Sequence, residues 1–452
     1  MRFLPFIILL LLGLGAGAFL SPFETAAVRE HLIGFPDASP QRHHYRIWAV
    51  RVLCLVPALG ALWYSFAPIL DRYLFRKALG SFLIATSAFI LLFLLLDFQS
   101  SMDEILGAFR PPEEGETPIA NPWKFVGSYY TVMLSQVIVL LLPFTTLLGL
   151  LFALGQLSAS REIIAFTQTG RGIFRFLRPL IVIGSLISLA SFCLNFHLAP
   201  WSEGYGEALL DSSRRGSTSQ ATNVMHQNEK DRRYWLIERF SYDQTLLDIH
   251  VTTIDEDGAL QSRFRAKKAT WNRETGDWTF SQPTRLLVQM EPTPIYEENL
   301  PDPLIISDWS ETPSQLIQRG LNPLYLGVPG LKDWLRLNPD QTHFQTRGFE
   351  TQLCYRWAKP WLCLVSVLLA APLGISFSRQ ARGGTVAVAV ILSGLMLFSA
   401  EVLLAFGDSG QIPSVPAAWA TNGIFALIGL ILIQRRIVGR PIFQSIRKCC
   451  GG

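Results

Sequence analysis

Residues 130–178 read YTVMLSQVIVLLLPFTTLLGLLFALGQLSASREIIAFTQTGRGIFRFLR, and the architecture of the chain follows from them. The apolar run from Tyr130 to Leu157 is long enough to cross hydrocarbon, which takes about 20 residues. A connection with four arginines (Arg161, Arg171, Arg175 and Arg178) and one acid, Glu162, follows it, and then a second apolar run from Phe176 to Phe196. A short basic loop between two spans belongs on the cytoplasmic side. Pro143 lies inside the first run and reads as a kink.

Working outward, further spans read as Ile47 to Pro68, Leu79 to Leu96, Trp361 to Phe377, Thr385 to Phe406 and Val415 to Ile433. Arg72, Arg76 and Lys77 precede the Leu79 span, Arg379 and Arg382 follow Phe377, and the tail carries Arg435, Arg436, Arg440, Arg447 and Lys448 without an acid. The opposite connections are acidic, with Asp103, Glu104, Glu113, Glu114 and Glu116 against Arg110. The alternation orients six core helices and puts the long polar stretch between the third and fourth of them outside the cytoplasm. The chain divides into 1–70, a hydrophobic extension; 71–200, core helices one to three; 201–350, an outer domain; 351–436, core helices four to six; and 437–452, a basic tail. Residues 1–20 fit a cleaved signal peptide and an uncleaved span equally. The outer loop of the extension holds Arg29, Arg42, His43, His44 and Arg46, against the orientation rule.

Composition agrees. The chain of 452 residues is 50% hydrophobic and 16% charged, with net charge +4 and mean hydropathy +0.29. It has too little charge to cover a water-soluble surface, which disfavours a purely cytosolic enzyme, a disordered chain and a nucleic-acid binder. The six cysteines avoid the outer domain, which therefore folds without disulfides. No Walker loop, HExxH, GxSxG or CxxC is present, so energy for work comes from a partner or an ion gradient. His197, His226 and His250 are scattered and lack a nucleophile partner, which disfavours a lipid-modifying enzyme; a membrane scaffold stays open on composition.

The outer domain reads as β. Tyr234–Ile237, Leu246–Thr253, Ser262–Trp271 and Trp278–Phe280 are short aromatic and aliphatic runs separated by the turn signals Asp255-Glu256-Asp257-Gly258 and Glu274-Thr275-Gly276-Asp277. They suggest a sandwich or roll, from which an amphipathic stretch, Pro313 to Leu337, returns the chain to the membrane.

The order of several motifs resembles one family. These are Arg72-Tyr73-Leu74, Pro143-Phe144-Thr145-Thr146-Leu147-Leu148-Gly149 with Gly155-Gln156-Leu157, Glu162-Ile163-Ile164-Ala165 with Gly170, and Leu198-Ala199-Pro200. Arg265 to Trp271 ending in Gly276-Asp277-Trp278, then Arg356 and Ala371-Pro372-Leu373-Gly374, complete the set. It is similar to the LptF/LptG (YjgP/YjgQ) lipopolysaccharide-export permeases over about Asp71 to Arg436. The resemblance implies a six-helix transmembrane permease core with a periplasmic β-jellyroll inserted between the third and fourth helices, in the cell inner membrane. It also implies pairing with a second permease of the same family, a cytoplasmic ABC ATPase dimer (LptB-like), periplasmic bridge proteins (LptC-like and LptA-like) and lipopolysaccharide, with no cofactor. Another lipid or lipoprotein cargo remains an alternative.

By the same resemblance, Arg161, Glu162, Ile163, Ala165, Phe166 and Gly170 form the helix that couples to the ATPase. Asp97 and Glu401 are ionisable groups in spans, where they are costly and face a cavity or partner; the resemblance places their helices at a lateral gate. Trp235, Ile237, Leu247, Ile249, Val251, Phe264 and Trp271 alternate inward in the β domain, as an ordinary core or a slide for acyl chains. Asp103 and Glu104 stand where the family tends to place basic residues, so either the paired subunit supplies positive charge or the cargo is less anionic.

Overall fold

The computed structural model describes all residues except 1–2, 36, 108, 110–120, 169–172, 216–217, 229–230, 243–244, 256–259, 273, 289–294, 340–342, 375–381 and 438–452. Helices α1 (Leu4–Gly34) and α2 (Pro40–Phe66) pack along each other as a hairpin. Next come α3 (Ile69–Ser100), the short α4 (Met102–Gly107), α5 (Pro122–Ala159), the short α6 (Glu162–Gln168), α7 (Ile173–Phe196) and α8 (Leu198–Arg215). Eight strands follow, then α9 (Pro313–Ile317), α10 (Val328–Leu337), α11 (His343–Ala358), α12 (Trp361–Gly374), α13 (Arg382–Asp408) and α14 (Ser414–Ile437).

Among the described residues, seven helices are long and apolar enough to span, and α11 and α12, bent by 47° at a short break, reach that length and hydropathy only as a pair. The fourth core helix, read as one run from Trp361, is therefore broken. Its apolar part is too short to cross alone, and the polar α11 supplies the outer half. A break inside a bilayer frees backbone carbonyls that water cannot reach. Here side chains take them: Asn195 Nδ2 donates to Arg356 O at 2.8 Å, Asn422 Nδ2 to Ala358 O at 2.8 Å, and Ser188 Oγ to Pro360 O at 2.9 Å.

The centre of the bundle is α5, which runs unbroken through Pro143 and touches α3, α7, α12 and α13. Leu147, Leu150 and Ala153 are fully buried. Lipid gives apolar side chains little reason to leave it, so helices associate through close contact at small residues. At Gly149 a Cβ would lie 2.6 Å from Phe82 Cα, so α3 and α5 meet backbone to backbone there.

The β domain is one antiparallel sheet of β1 (Ser219–Asn228), β2 (Arg233–Ser241), β3 (Leu246–Ile254), β4 (Leu260–Asn272), β5 (Asp277–Ser281), β6 (Thr284–Val288), β7 (Ile295–Asn299) and β8 (Leu304–Ile306). The long β4 pairs with β3 on one edge; on the other, its Ser262–Arg265 half meets β6 and its Lys268–Asn272 half meets β5. The sheet therefore branches, and its concave side is closed by Trp309, which packs edge-on against Trp235, Phe264 and Phe280 at 4.9–5.6 Å. Glu311 anchors that closing segment. Buried among the strands, it accepts from Arg233 Nε at 2.9 Å, Asn228 Nδ2 at 2.9 Å and Trp235 Nε1 at 3.2 Å.

The hairpin tip is tied to the β-domain side. Asp333 of α10 accepts from Ser39 N at 3.1 Å and Arg42 Nη1 at 3.0 Å, and pairs with His43 Nε2 at 3.1 Å. Asp37 accepts from Ser314 Oγ at 2.6 Å, and its backbone carbonyl accepts from Arg336. Arg46 closes on Glu24 at 2.7 Å. Most of the basic charge that sits against the orientation rule is thus spent inside the fold.

Candidate functional site

Three places hold the residues singled out by sequence. The first lies at the end of the bundle opposite the β domain. Ser160 ends α5, and Arg161, with φ +62°, reverses the chain into α6. Few non-glycine residues adopt that conformation, and a turn with no spare residue requires it here. Ile163 is 3% exposed and joins the core of the bundle, pinning the short helix. Glu162 faces α3: Ser160 Oγ donates to it at 2.7 Å and Lys77 Nζ lies 3.6 Å away, itself against Tyr73. Burial would raise the Glu162 carboxyl, but Ser160, Tyr73 and Lys77 hold it below the ordinary value. Arg161, Ala165 and Gln168 form the exposed stripe at helical spacing. Phe166 belongs to α6, but nothing is described of its side chain, and Gly170 lies outside the described residues.

The second place is the end of the bundle nearer the β domain, where Asp97 and Glu401 sit in separate clusters. Tyr129 on α5 donates to Asp97 Oδ2 at 3.2 Å. Tyr355 on α11 donates to Glu401 Oε1 at 3.2 Å, below the Lys359 ammonium 5.6 Å from its ring. Glu401 belongs to a charged group with Glu203, Arg356, Lys359 and Asp408 beside the break between α11 and α12. Burial pushes the Glu203 carboxyl up, against the pull of Lys359 and Arg356. The helices of Asp97 and Glu401 each pack on α5, so the chain does not bring the two acids together.

The third is the β-domain interior. Trp235, Ile237, Ile249, Val251 and Phe264 are buried there, with Phe240, Ala266, Trp278 and Phe280. Leu247 departs from the alternating pattern. Asp248 adopts φ +51°, so Leu246 is fully buried and Leu247 only partly. The face changes at the same level in three strands, where Arg239 pairs with Asp248 at 3.1 Å and both Lys267 and Lys268 point outward. Trp271 lies at the rim, partly buried.

Residues that sequence reading missed are the ones that close these sites: Lys77, Glu311, Asn195 and Asn422. The two asparagines carried a usable signal, since an amide inside an apolar run needs a partner. Among the described residues, no group of three or more His, Cys, Asp or Glu is arranged to hold a metal.

This geometry is a helical membrane core split by an inserted β domain, with a short helix at the far end. The family described as "Lipopolysaccharide export system permease LptF/LptG" matches residues 72–435, from the start of α3 to the end of α14. The chain belongs to the LptF/LptG family. A relative, "Lipopolysaccharide export system permease protein LptG" of Haemophilus influenzae, is 23% identical over 370 residues, covering 80% of this chain and 96% of its own. All three candidate places lie within the LptF/LptG match, whereas the α1–α2 hairpin lies outside it.

Proposed function

We propose that the chain is the inner-membrane permease subunit of an ABC-type lipopolysaccharide export complex. In this reading it takes the glycolipid from the inner membrane and passes it through its periplasmic β domain toward the outer membrane. The observation that carries the reading is the match of the LptF/LptG family across both helical halves and the inserted β domain together. ATP hydrolysis belongs to a cytoplasmic ABC ATPase dimer seated on α6. Arg161 and Ala165 make the docking face, to which Phe166 and Gly170 are assigned by the family resemblance alone, and Glu162 and Ile163 hold the helix to the bundle. A helix pinned at both ends to spans carries a rigid displacement into them. The Lys77–Glu162 pair is partly exposed and adds at most about 1 kcal/mol, so its part is orientation.

A second permease of the family faces the flank with Asp97 and Glu401, and lipid enters between them. The bridge proteins receive it beyond the β domain. Trp235, Ile237, Ile249, Phe264 and Trp271 are the surface along which acyl chains slide, which requires Trp309 to swing off the sheet; Leu247, on the other face, is not part of it.

The test is affinity purification of tagged chain from detergent-solubilised membranes, with mass spectrometry of proteins and lipids. Recovery of an ABC ATPase, a second chain of the same topology and glycolipid is expected. Ala165→Arg, on the exposed stripe, and Glu162→Lys should release the ATPase alone. Recovery of the chain by itself with ordinary phospholipid would sink the export reading.

A further inference from the structure

Between the hairpin and the β domain lies a groove of about 1030 Å³ whose hairpin wall lies outside the family match. One wall is the hairpin. Val28, Arg29 and Leu32 share a stripe of the last turns of α1, and His44 comes from the first turns of α2. The other wall is the β4–β5 end of the sheet, with Trp271 and, on the turn, Glu274.

The basic residues of this loop sit on the side of the membrane where arginine is disfavoured. The fold accounts for Arg42, His43 and Arg46 through Asp333 and Glu24. Arg51, deeper in α2, bonds Ser21 Oγ at 2.8 Å and lies over the Trp48 ring. Arg29 and His44 are different. Both are exposed, both line the groove, and neither has an ion pair or side-chain hydrogen bond among the described residues. Arg29 falls three residues before the end of its span at Leu32, the level at which headgroups begin. Exposed Tyr45 and Trp48 follow on α2, the residue types that mark that level.

We propose that this groove binds the phosphate of a membrane lipid in the outward-facing leaflet, between the Arg29 guanidinium and the His44 imidazole. Guanidinium offers paired donors to two phosphate oxygens, and the His44 ring donates one more. Val28 and Thr25 continue the hairpin wall toward the membrane as the track for the glycerol or sugar end and the first methylenes, whereas Leu32 packs against the β-domain core. Glu274, on the opposite wall, repels the anion toward the hairpin side. The occupant is a lipid rather than a free ion, because the two donors lie where acyl chains can hang below them. The site does not depend on the export reading, since it needs neither ATPase nor second subunit.

The test uses full-length protein, delipidated in neutral detergent and titrated with phosphatidylglycerol, phosphatidylcholine or inorganic phosphate, with retained adducts counted by native mass spectrometry. One phosphatidylglycerol should be retained at least tenfold more strongly than phosphatidylcholine. Arg29→Gln with His44→Gln should abolish that preference, Arg29→Lys should keep most of it, and Arg263→Gln with Arg265→Gln, exposed on β4, should leave it unchanged. Equal retention of both lipids, an unchanged preference in the Arg29/His44 variant, loss in the β4 control, or displacement by millimolar inorganic phosphate would each overturn the proposal.

Discussion

Glu311 is the residue whose loss should be felt furthest through the β domain. Glu311→Leu removes a carboxylate that is 1% exposed and takes three side-chain donors. Arg233 would keep Asp231, its exposed partner, but lose the buried one, and Trp235 Nε1 would have no acceptor. Removing one member of a buried charge pair costs about 3–5 kcal/mol. The retained Asp231 contact favours the lower end, about 3 kcal/mol, which speeds local opening on the order of 100-fold. Hydrogen exchange of full-length protein in detergent, read on peptides of β2 and β5, measures it. The companion variant Glu311→Leu with Arg233→Met leaves no stranded charge, and should recover all but about 1–2 kcal/mol. Exchange within threefold of wild type in the single variant, or a double variant no slower than the single, would refute the reasoning.

Other expectations are equally specific. Gly149→Val should lower the melting temperature in detergent, because its Cβ meets the Phe82 backbone, with an overpacking cost of about 1–3 kcal/mol. Gly155→Ala, where a Cβ meets nothing within 4 Å, should be neutral or stabilising. Asp333 is raised by burial but lowered further by the His43 and Ser39 bonds, so its net shift is downward. A carboxylate with a lowered folded value contributes stability above the unfolded value of about 3.9 and loses it as pH falls through the folded one. Hydrogen-exchange protection of the hairpin tip, corrected for the intrinsic pH dependence of exchange, should therefore be the same at pH 7 and pH 5. Asp333→Asn should lower that protection at both; a loss of protection between pH 7 and 5 in the unsubstituted protein would contradict the assignment. Asn422→Leu, stranding the Ala358 carbonyl, should cost about 1–2 kcal/mol by thermal unfolding, since hydrogen bonds between spans seldom exceed that.

Much of this fold was legible because apolar length and loop charge are nearly sufficient physics for a membrane chain. Four of the strands stand out by alternation and by the Glu274–Asp277 turn, where Gly276 takes φ +76° as a tight turn demands. What escaped depends on contacts distant in sequence. The Leu246/Leu247 exchange of faces follows from the left-handed Asp248, and its reason is the ion pair with Arg239 on the neighbouring strand. β1 and β7 are polar and carry little alternation, so only pairing reveals them. The fourth core helix reads in sequence as a single span from Trp361 to Phe377, and its polar continuation α11 gives no apolar signal by which to be joined to it. Glu162 was visible as a candidate, but its tie to Lys77 spans 85 positions and leaves no local trace.

The break between α11 and α12 has a mechanical consequence. A bend three of whose carbonyls accept from neighbouring helices resists swivelling, because rotation would withdraw an acceptor from Asn195, Asn422 or Ser188. The segment leading out of the β domain is thereby geared to α7 and α14, like a lever whose fulcrum is bolted at three points. Any tilt of α11 would therefore carry α7 and α14 with it.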